Sequence, residues 1–201
     1  GVRDSFADEF VELYNTGPAT LSLGGWKLGD DDAAPSSFFQ FPEGTRLAPD
    51  SYLVLFGGGA PTGFTAPAFA DDGRIGDGLS NAGDTVFLLD AQGDTADVVP
   101  GHDWPADRSV VRSPAGVFVA HGDPPGQGEA YSPGRASLAA EPLPPPHPPG
   151  RSPFTAIAVS EVLADPPDGL AGDTTGDGVR DSFAADFVEL YNIGPDTHSL
   201  G

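Results

Sequence analysis

The amino-acid sequence predicts an all-β chain of the β-sandwich or barrel class. Three observations point there. Apolar and aromatic residues gather in short runs, those runs are closed by Gly, Pro, Asp and Asn, and no segment of helical length carries apolar residues at a 3.6-residue period. Short strands punctuated by turn residues are the pattern of sandwiches and barrels.

The elements run in order along the chain. Glu9 to Asn15 (EFVELYN) is a dense apolar run closed by a turn at Thr16-Gly17-Pro18. Leu21 to Leu28 holds a Gly24-Gly25 break before Trp26, which predicts a strand bent or bulged at the glycines. Phe38 to Phe41, Tyr52 to Phe56 and Thr85 to Leu89 are aromatic and β-branched runs. Asp90-Ala-Gln-Gly-Asp94 has the composition of a hairpin turn. Ser109 to Arg112 and Val117 to Val119 predict a hairpin around Pro114-Ala115-Gly116. The aromatic side chains of Trp26, Phe38, Phe39, Phe41 and Phe56 are expected in the core or on a sheet face.

Composition narrows the function classes. The 201 residues carry 30 acidic against nine basic side chains, a formal charge of −21. Lys27 is the one lysine and the eight arginines are scattered, so no nucleic-acid partner is expected: phosphate binding needs clustered Lys and Arg. Cysteine is absent, which excludes disulfides, thiolate metal sites and thiol nucleophiles. No run approaches the roughly 20 apolar residues that cross a bilayer, so membrane insertion is not expected. No signal-peptide pattern is in view and no Met occurs anywhere, so a segment of something longer is expected. Gly and Pro number 28 and 22, and many of the prolines crowd into one stretch.

That stretch separates two related sequences. Residues 1–24 and 178–201 match at 19 of 24 positions. A repeat this long is a tandem domain rather than a solenoid unit. Glu141 to Pro153 (EPLPPPHPPGRSP) favours an extended polyproline II spacer. The expected organisation is a first unit over 1–138, a linker over 139–153 and the start of a second unit over 154–201, with neighbouring repeats of the same parent chain as partners.

In their order along the chain, these motifs resemble the bacterial lamin-tail domain family. The resemblance is carried by Ile157 to Leu163 (IAVSEVL) with DFVELYNIG after it, EFVELYNTG in the first copy, and the Leu-Ser-Leu-Gly-Gly-Trp-Lys-Leu stretch at 21–28. It continues through Phe39-Gln40-Phe41-Pro42, Leu47-Ala48-Pro49, Tyr52 to Phe56, and Leu79 to Asp84 before VFLLD. Asp107-Arg108-Ser109, Arg112 and Tyr131-Ser132-Pro133-Gly134 are similar to the family's C-terminal portion. The resemblance implies an immunoglobulin-like β-sandwich without an active site, used for binding and tethering. The family's first strand precedes EFVELYN, and here its sequence occurs at 155–163 alone. That strand is therefore expected to return across the linker and pair beside 9–15. Residues 186–201 would then be left loosely attached or paired outside the sandwich.

The sharpest local chemical signal is Asp173-Thr-Thr-Gly-Asp177-Gly178-Val-Arg-Asp181. Calcium loops set oxygen ligands at alternating positions, with glycine at position six. Counting from Asp173 puts Thr175 at three, Asp177 at five, Gly178 at six, the Val179 carbonyl at seven and Asp181 at nine. Ala184 stands where a bidentate Glu belongs, so this is no standard EF-hand, and Asp186 is the nearby substitute. Calcium is the cofactor this spacing implies. Asp30-Asp31-Asp32 and Asp71-Asp72 with Asp77 read as solvated loop tips. His102, His121, His147 and His198 lack the i+4 partner of a helical zinc pair and read as surface loop residues. Ser80 in GLSNAG is not followed by a helix, as a nucleophile elbow would be, and reads as a turn serine.

The function expected from all this is a non-catalytic binding and tethering module of a secreted or cell-surface bacterial multidomain protein, extracellular in location, with a protein or glycan partner. Two further readings stand beside it. One is a calcium-assisted carbohydrate-binding or adhesion module. The other is an accessory domain to an extracellular nuclease or phosphoesterase encoded elsewhere in the parent chain.

Overall fold

Glu9 to Asn15 becomes the centre of the molecule because it can bury both of its faces. Phe10, Val11 and Leu13 are fully buried, and Glu12 and Asn15 are buried with them. In the computed structural model, which describes residues 8–15, 17–31, 33–101, 104–113, 116–122, 130–136, 157–164, 176 and 187–188, this run is strand β1 (Phe10–Asn15). It pairs antiparallel, residue for residue, with β6 (Ser51–Phe56).

Three sheets are present among the described residues. The largest also contains β7 (Ala68–Ala70), β10 (Val110–Arg112), β11 (Phe118–Ala120), β12 (Ile157–Leu163) and β13 (Phe187–Val188), in the order β11-β10-β12-β13-β1-β6-β7. A two-stranded ribbon joins β2 (Leu21–Ser22) to β5 (Arg46–Leu47). A third sheet orders β4 (Phe39–Gln40), β3 (Lys27–Asp30), β8 (Val86–Leu89) and β9 (Thr95–Val99). The architecture is all-β.

One hydrophobic core draws on all three sheets. It includes Phe10 and Phe56 of the large sheet, Leu21 and Leu47 of the ribbon, and Leu28 and Leu88 of the third sheet, with Trp26 and Phe41 beside them. Each fully buried side chain of this size contributes about 1.5–3 kcal/mol. Edge-to-face rings add geometry to that burial, with Phe39 and Phe41 centroids 5.1 Å apart and Phe41 and Phe69 5.8 Å apart.

Turn chemistry separates the strands where the sequence predicts. Gly25 sits at φ 82° between β2 and β3, so the Gly-Gly break splits the expected strand in two. Asp90 Oδ1 accepts the N–H groups of Gln92 (2.9 Å) and Asp94 (2.8 Å), closing the β8–β9 hairpin. The Asn15 side chain ends β1 by donating to the carbonyls of Ala19 and Leu47, both at 2.8 Å, which ties the central strand to the β2–β5 ribbon.

Three strands have no counterpart in the sequence reading. β5 is only two residues long, β7 comes after a Pro- and Gly-rich stretch, and β9 is interrupted by Asp97. β7 runs parallel to β6 and rests on tertiary pairing rather than on a local apolar run. The 137–156 connection lies outside the described residues.

Candidate functional site

The slot between β1 and β10 is the most heavily furnished place in the large sheet, and β12 fills it. Ile157–Leu163 runs antiparallel to β1, with Asn15 opposite Ile157, Tyr14 opposite Ala158, Leu13 opposite Val159 and Phe10 opposite Leu163. The register breaks between Phe10 and Leu13, and there Phe187 and Val188 of β13 pair with Val11 and Glu12. On its other edge β12 pairs with β10 through Val110–Val162 and Val111–Glu161. The expected return of this strand to residues 9–15 is therefore present. The expectation for the 186–201 stretch needs correcting: Phe187–Val188 pairs within the same sheet, not outside it. The reason is sequence identity, since DFVELYN offers β12 the same strand as EFVELYN.

Where the β10 ladder ends, side chains continue it. Arg112 Nε donates to the Val159 carbonyl at 2.7 Å, and the Val159 N–H donates to Asp97 Oδ2 at 2.7 Å. Arg112 and Asp97 close the triangle with a 2.7 Å ion pair, both side chains largely buried. The Arg112 guanidinium also lies 4.8 Å from the Phe118 ring centre.

The Glu161 carboxylate projects from the middle of β12 into a polar pocket with no solvent exposure. Oε1 accepts the Ser109 hydroxyl at 2.5 Å and the Ser132 N–H at 3.0 Å, and Oε2 accepts the Ser132 hydroxyl at 2.9 Å. His121 Nε2 lies 3.1 Å from Ser132 Oγ and 4.0 Å from Glu161 Oε1. Burial pushes the Glu161 carboxyl above its ordinary range, and His121 and the two serines pull it back. The Ser132 hydroxyl thus bridges His121 Nε2 and the Glu161 carboxylate.

Ser, His and Glu together suggest a hydrolytic triad, but the geometry is not one. The carboxylate takes the serine proton directly instead of orienting the imidazole, and Ser109, His121, Ser132 and Glu161 are all shut off from solvent. The arrangement locks a strand in place. His121 is thus a buried residue of this network, not the surface loop residue its sequence context predicts. The signal that points to such a site is a glutamate inside an apolar strand run, IAVSEVL, because a carboxylate carried into a sheet interior needs partners there. Glu12 in EFVELYN carries the same signal: its Oε2 accepts the Gly134 N–H.

A second group of carboxylates gathers around the loops after β3 and before β8. Asp30 is fully buried, accepting N–H groups from Ala33 (2.9 Å) and Asp77 (3.1 Å), and burial lifts its pKa to about 6. Asp84 accepts the Ser80 N–H at 2.8 Å and is lifted to about 7 by burial and by its hydrogen bond with Asp31. Asp31, donated to by the Thr85 N–H, is lowered, chiefly by the same bond to Asp84. Asp71 rises to about 7, again mainly through burial. Asp30 is therefore a loop-organising residue rather than a solvated tip, because its carboxylate is needed by backbone donors from two loops. Ser80 is a turn residue, as its context predicts: its hydroxyl accepts the Ala82 N–H.

Residues 2–101 match the model of the Lamin Tail Domain family. No curated protein matches the chain. The lamin tail match covers β1 to β9 and stops before β10, so the strands that hold β12 on its far side lie beyond it. Among the described residues no group of three or more His, Cys, Asp or Glu is placed to hold a metal ion. Nor, among them, is any helix long and apolar enough to cross a membrane.

The calcium candidates Asp173, Thr175, Asp177, Val179, Asp181 and Asp186 lie outside the described residues, as do His102, His147, His198 and Asp32. Within that loop Gly176 is described. It holds φ 69°, and its carbonyl accepts the Thr62 hydroxyl at 2.7 Å.

Proposed function

We propose that this chain is a non-catalytic binding and tethering module, built as immunoglobulin-like lamin tail sandwiches in tandem, in a secreted or cell-surface multidomain protein. One observation carries the reading. The strand that fills the large sheet of the unit starting at β1 comes from beyond the proline-rich stretch, where the second copy of the repeat begins. A unit sealed by sequence from its neighbour is joined to that neighbour by a packed strand as well as by a peptide bond, which suits a spacer that must hold a partner at a fixed distance. The lamin tail match over residues 2–101 and the sealing of the Ser132-His121-Glu161 grouping from solvent support the same conclusion.

The test is a panel of ester, glycoside, peptide and phosphodiester substrates, with and without calcium or magnesium. Background rates throughout are the expected result. A turnover abolished by a single point substitution would overturn the reading.

A further inference from the structure

We propose that the slot between β1 and β10 is a strand-docking site that takes residues 157–163 from a second copy of this chain as well as from its own, giving a strand-exchanged dimer.

Nothing that holds β12 depends on the covalent path leading to it. The strand is gripped by backbone pairing to β1 and β10, by Arg112 and Asp97 at Val159, and by Ser109 and Ser132 at Glu161. All of these contacts are identical when the strand belongs to another molecule. The path itself is residues 137–156, with seven prolines between 141 and 153. Such a sequence favours extended polyproline II at about 3.1 Å per residue. Twenty residues of that kind reach about 60 Å, far enough to serve a neighbouring molecule.

The chain holds one donor, IAVSEVL, and two acceptor sequences, EFVELYN at 9–15 and DFVELYN at 186–192. Both are paired to β12 here, β1 along most of its length and β13 at Val162 and Leu163. A donor shared in this way is released from its own β1 at the cost of pairings that a second copy restores.

The occupant is specified as the same chain by polarity. An arbitrary apolar strand would take the Glu161 acceptor away from both Ser132 donors and leave the Ser109 hydroxyl only its longer contact to the Ala130 carbonyl, whereas the 157–163 strand of a second copy brings Glu161 to the correct register. The charge of −21 on each copy opposes the approach, so exchange increases with ionic strength.

The absence of cysteine makes the test clean. Val110 and Val162 are partners across β10 and β12. The single variants V110C and V162C are mixed, unfolded together in urea, refolded at high protein concentration and oxidised. The expected result is a mixed disulfide dimer, several-fold more abundant than either homodimer and more abundant still at high salt. The double variant V110C/V162C, refolded dilute, is expected to close an intrachain disulfide. The proposal is overturned if that intrachain bond forms and the mixed dimer does not, and equally if the intrachain bond fails, since β12 then does not occupy the slot. Should these substitutions prevent folding, L13C and V159C repeat the experiment across β1 and β12. Light scattering of the wild-type chain is the independent measurement: a dimer mass after concentrated refolding supports exchange, and a strict monomer overturns it.

Discussion

Ser132 gives both its backbone N–H and its hydroxyl to the Glu161 carboxylate, at 3.0 and 2.9 Å, across 29 residues of sequence. Two donors from one residue fix the carboxylate in position and orientation. They also bind the loop after β11 to a strand that enters the sheet from beyond the proline-rich stretch. Strand β12 is held by a polar lock set inside an apolar core.

Glu161→Ala is expected to destabilise the fold by about 2–4 kcal/mol, because it takes the carboxylate acceptor from the buried N–H and hydroxyl of Ser132, each costing about 1–3 kcal/mol when unsatisfied. Glu161→Gln keeps the amide oxygen as an acceptor and is expected to cost roughly half as much. Urea denaturation reads both, and midpoints equal to wild type would show that the carboxylate locks nothing.

The strands with unbroken apolar runs are legible in the sequence, because EFVELYN and SYLVLF announce their burial directly. β7 and β9 are not, since AFA and TADVV carry little local preference and exist through their neighbours. The return of β12 is legible only because the repeat shows what β1 normally pairs with. The Glu161 pocket is half legible. A glutamate inside IAVSEVL demands partners, but Ser109, His121 and Ser132 are brought to it by β10, β11 and the loop beyond, and no local pattern names them.

The raised carboxyls set a pH dependence. Asp30, at about 6, and Asp71 and Asp84, each at about 7, hold their protons more tightly folded than unfolded, where the ordinary value is 3.8. Their contribution is fully present below about pH 4 and is lost as pH rises through 6 to 7. A carboxyl raised by one pKa unit corresponds to about 1.4 kcal/mol. At about 2–4 °C per kcal/mol, Tm is expected to fall by several degrees between pH 5 and pH 8. Asp84→Asn keeps an acceptor for the Ser80 N–H and should flatten that slope. A Tm that rises across this interval would contradict the sign.

Gly76 lies at φ 63° with the Asp30 carboxylate where a Cβ would stand. Gly76→Ala therefore combines left-handed strain of about 1–2 kcal/mol with displacement of the side chain that organises two loops. The expected loss is about 2–4 kcal/mol, the upper part of it from unsatisfied donors at Ala33 and Asp77. A control at Gly44, which is also at positive φ but with open space around its Cβ position, should show the strain alone. Equal effects at the two sites would show that the Asp30 contact is unimportant.

Calcium at 173–186 remains our proposal from ligand spacing. Binding only to the folded form stabilises by about 2.7 kcal/mol when calcium stands at 100 times its dissociation constant. A rise in Tm with millimolar calcium, largely removed by Asp177→Ala, is the expected outcome. Titration without heat and without a thermal shift would eliminate the site.

The last prediction removes the strand. Residues 1–150 keep β1 to β11 but lack Ile157, Val159, Val162 and Leu163, all of them buried. At about 1.5–3 kcal/mol for each side chain, their loss approaches the whole 5–15 kcal/mol that holds a typical domain. It also bares one edge of β1 and one of β10, together with the polar pocket between them. The truncated chain is therefore expected to lose its cooperative urea transition or to unfold at a far lower midpoint than 1–201, and hydrogen exchange in residues 10–15 should lose its protection. A synthetic peptide spanning 155–165 should restore both, with a peptide carrying the Glu161→Lys change as the control that should not. If 1–150 unfolds at the same midpoint as 1–201, with residues 10–15 equally protected, β12 is not what closes the sheet. If both peptides rescue equally, burial of apolar surface decides the docking and the polar lock does not.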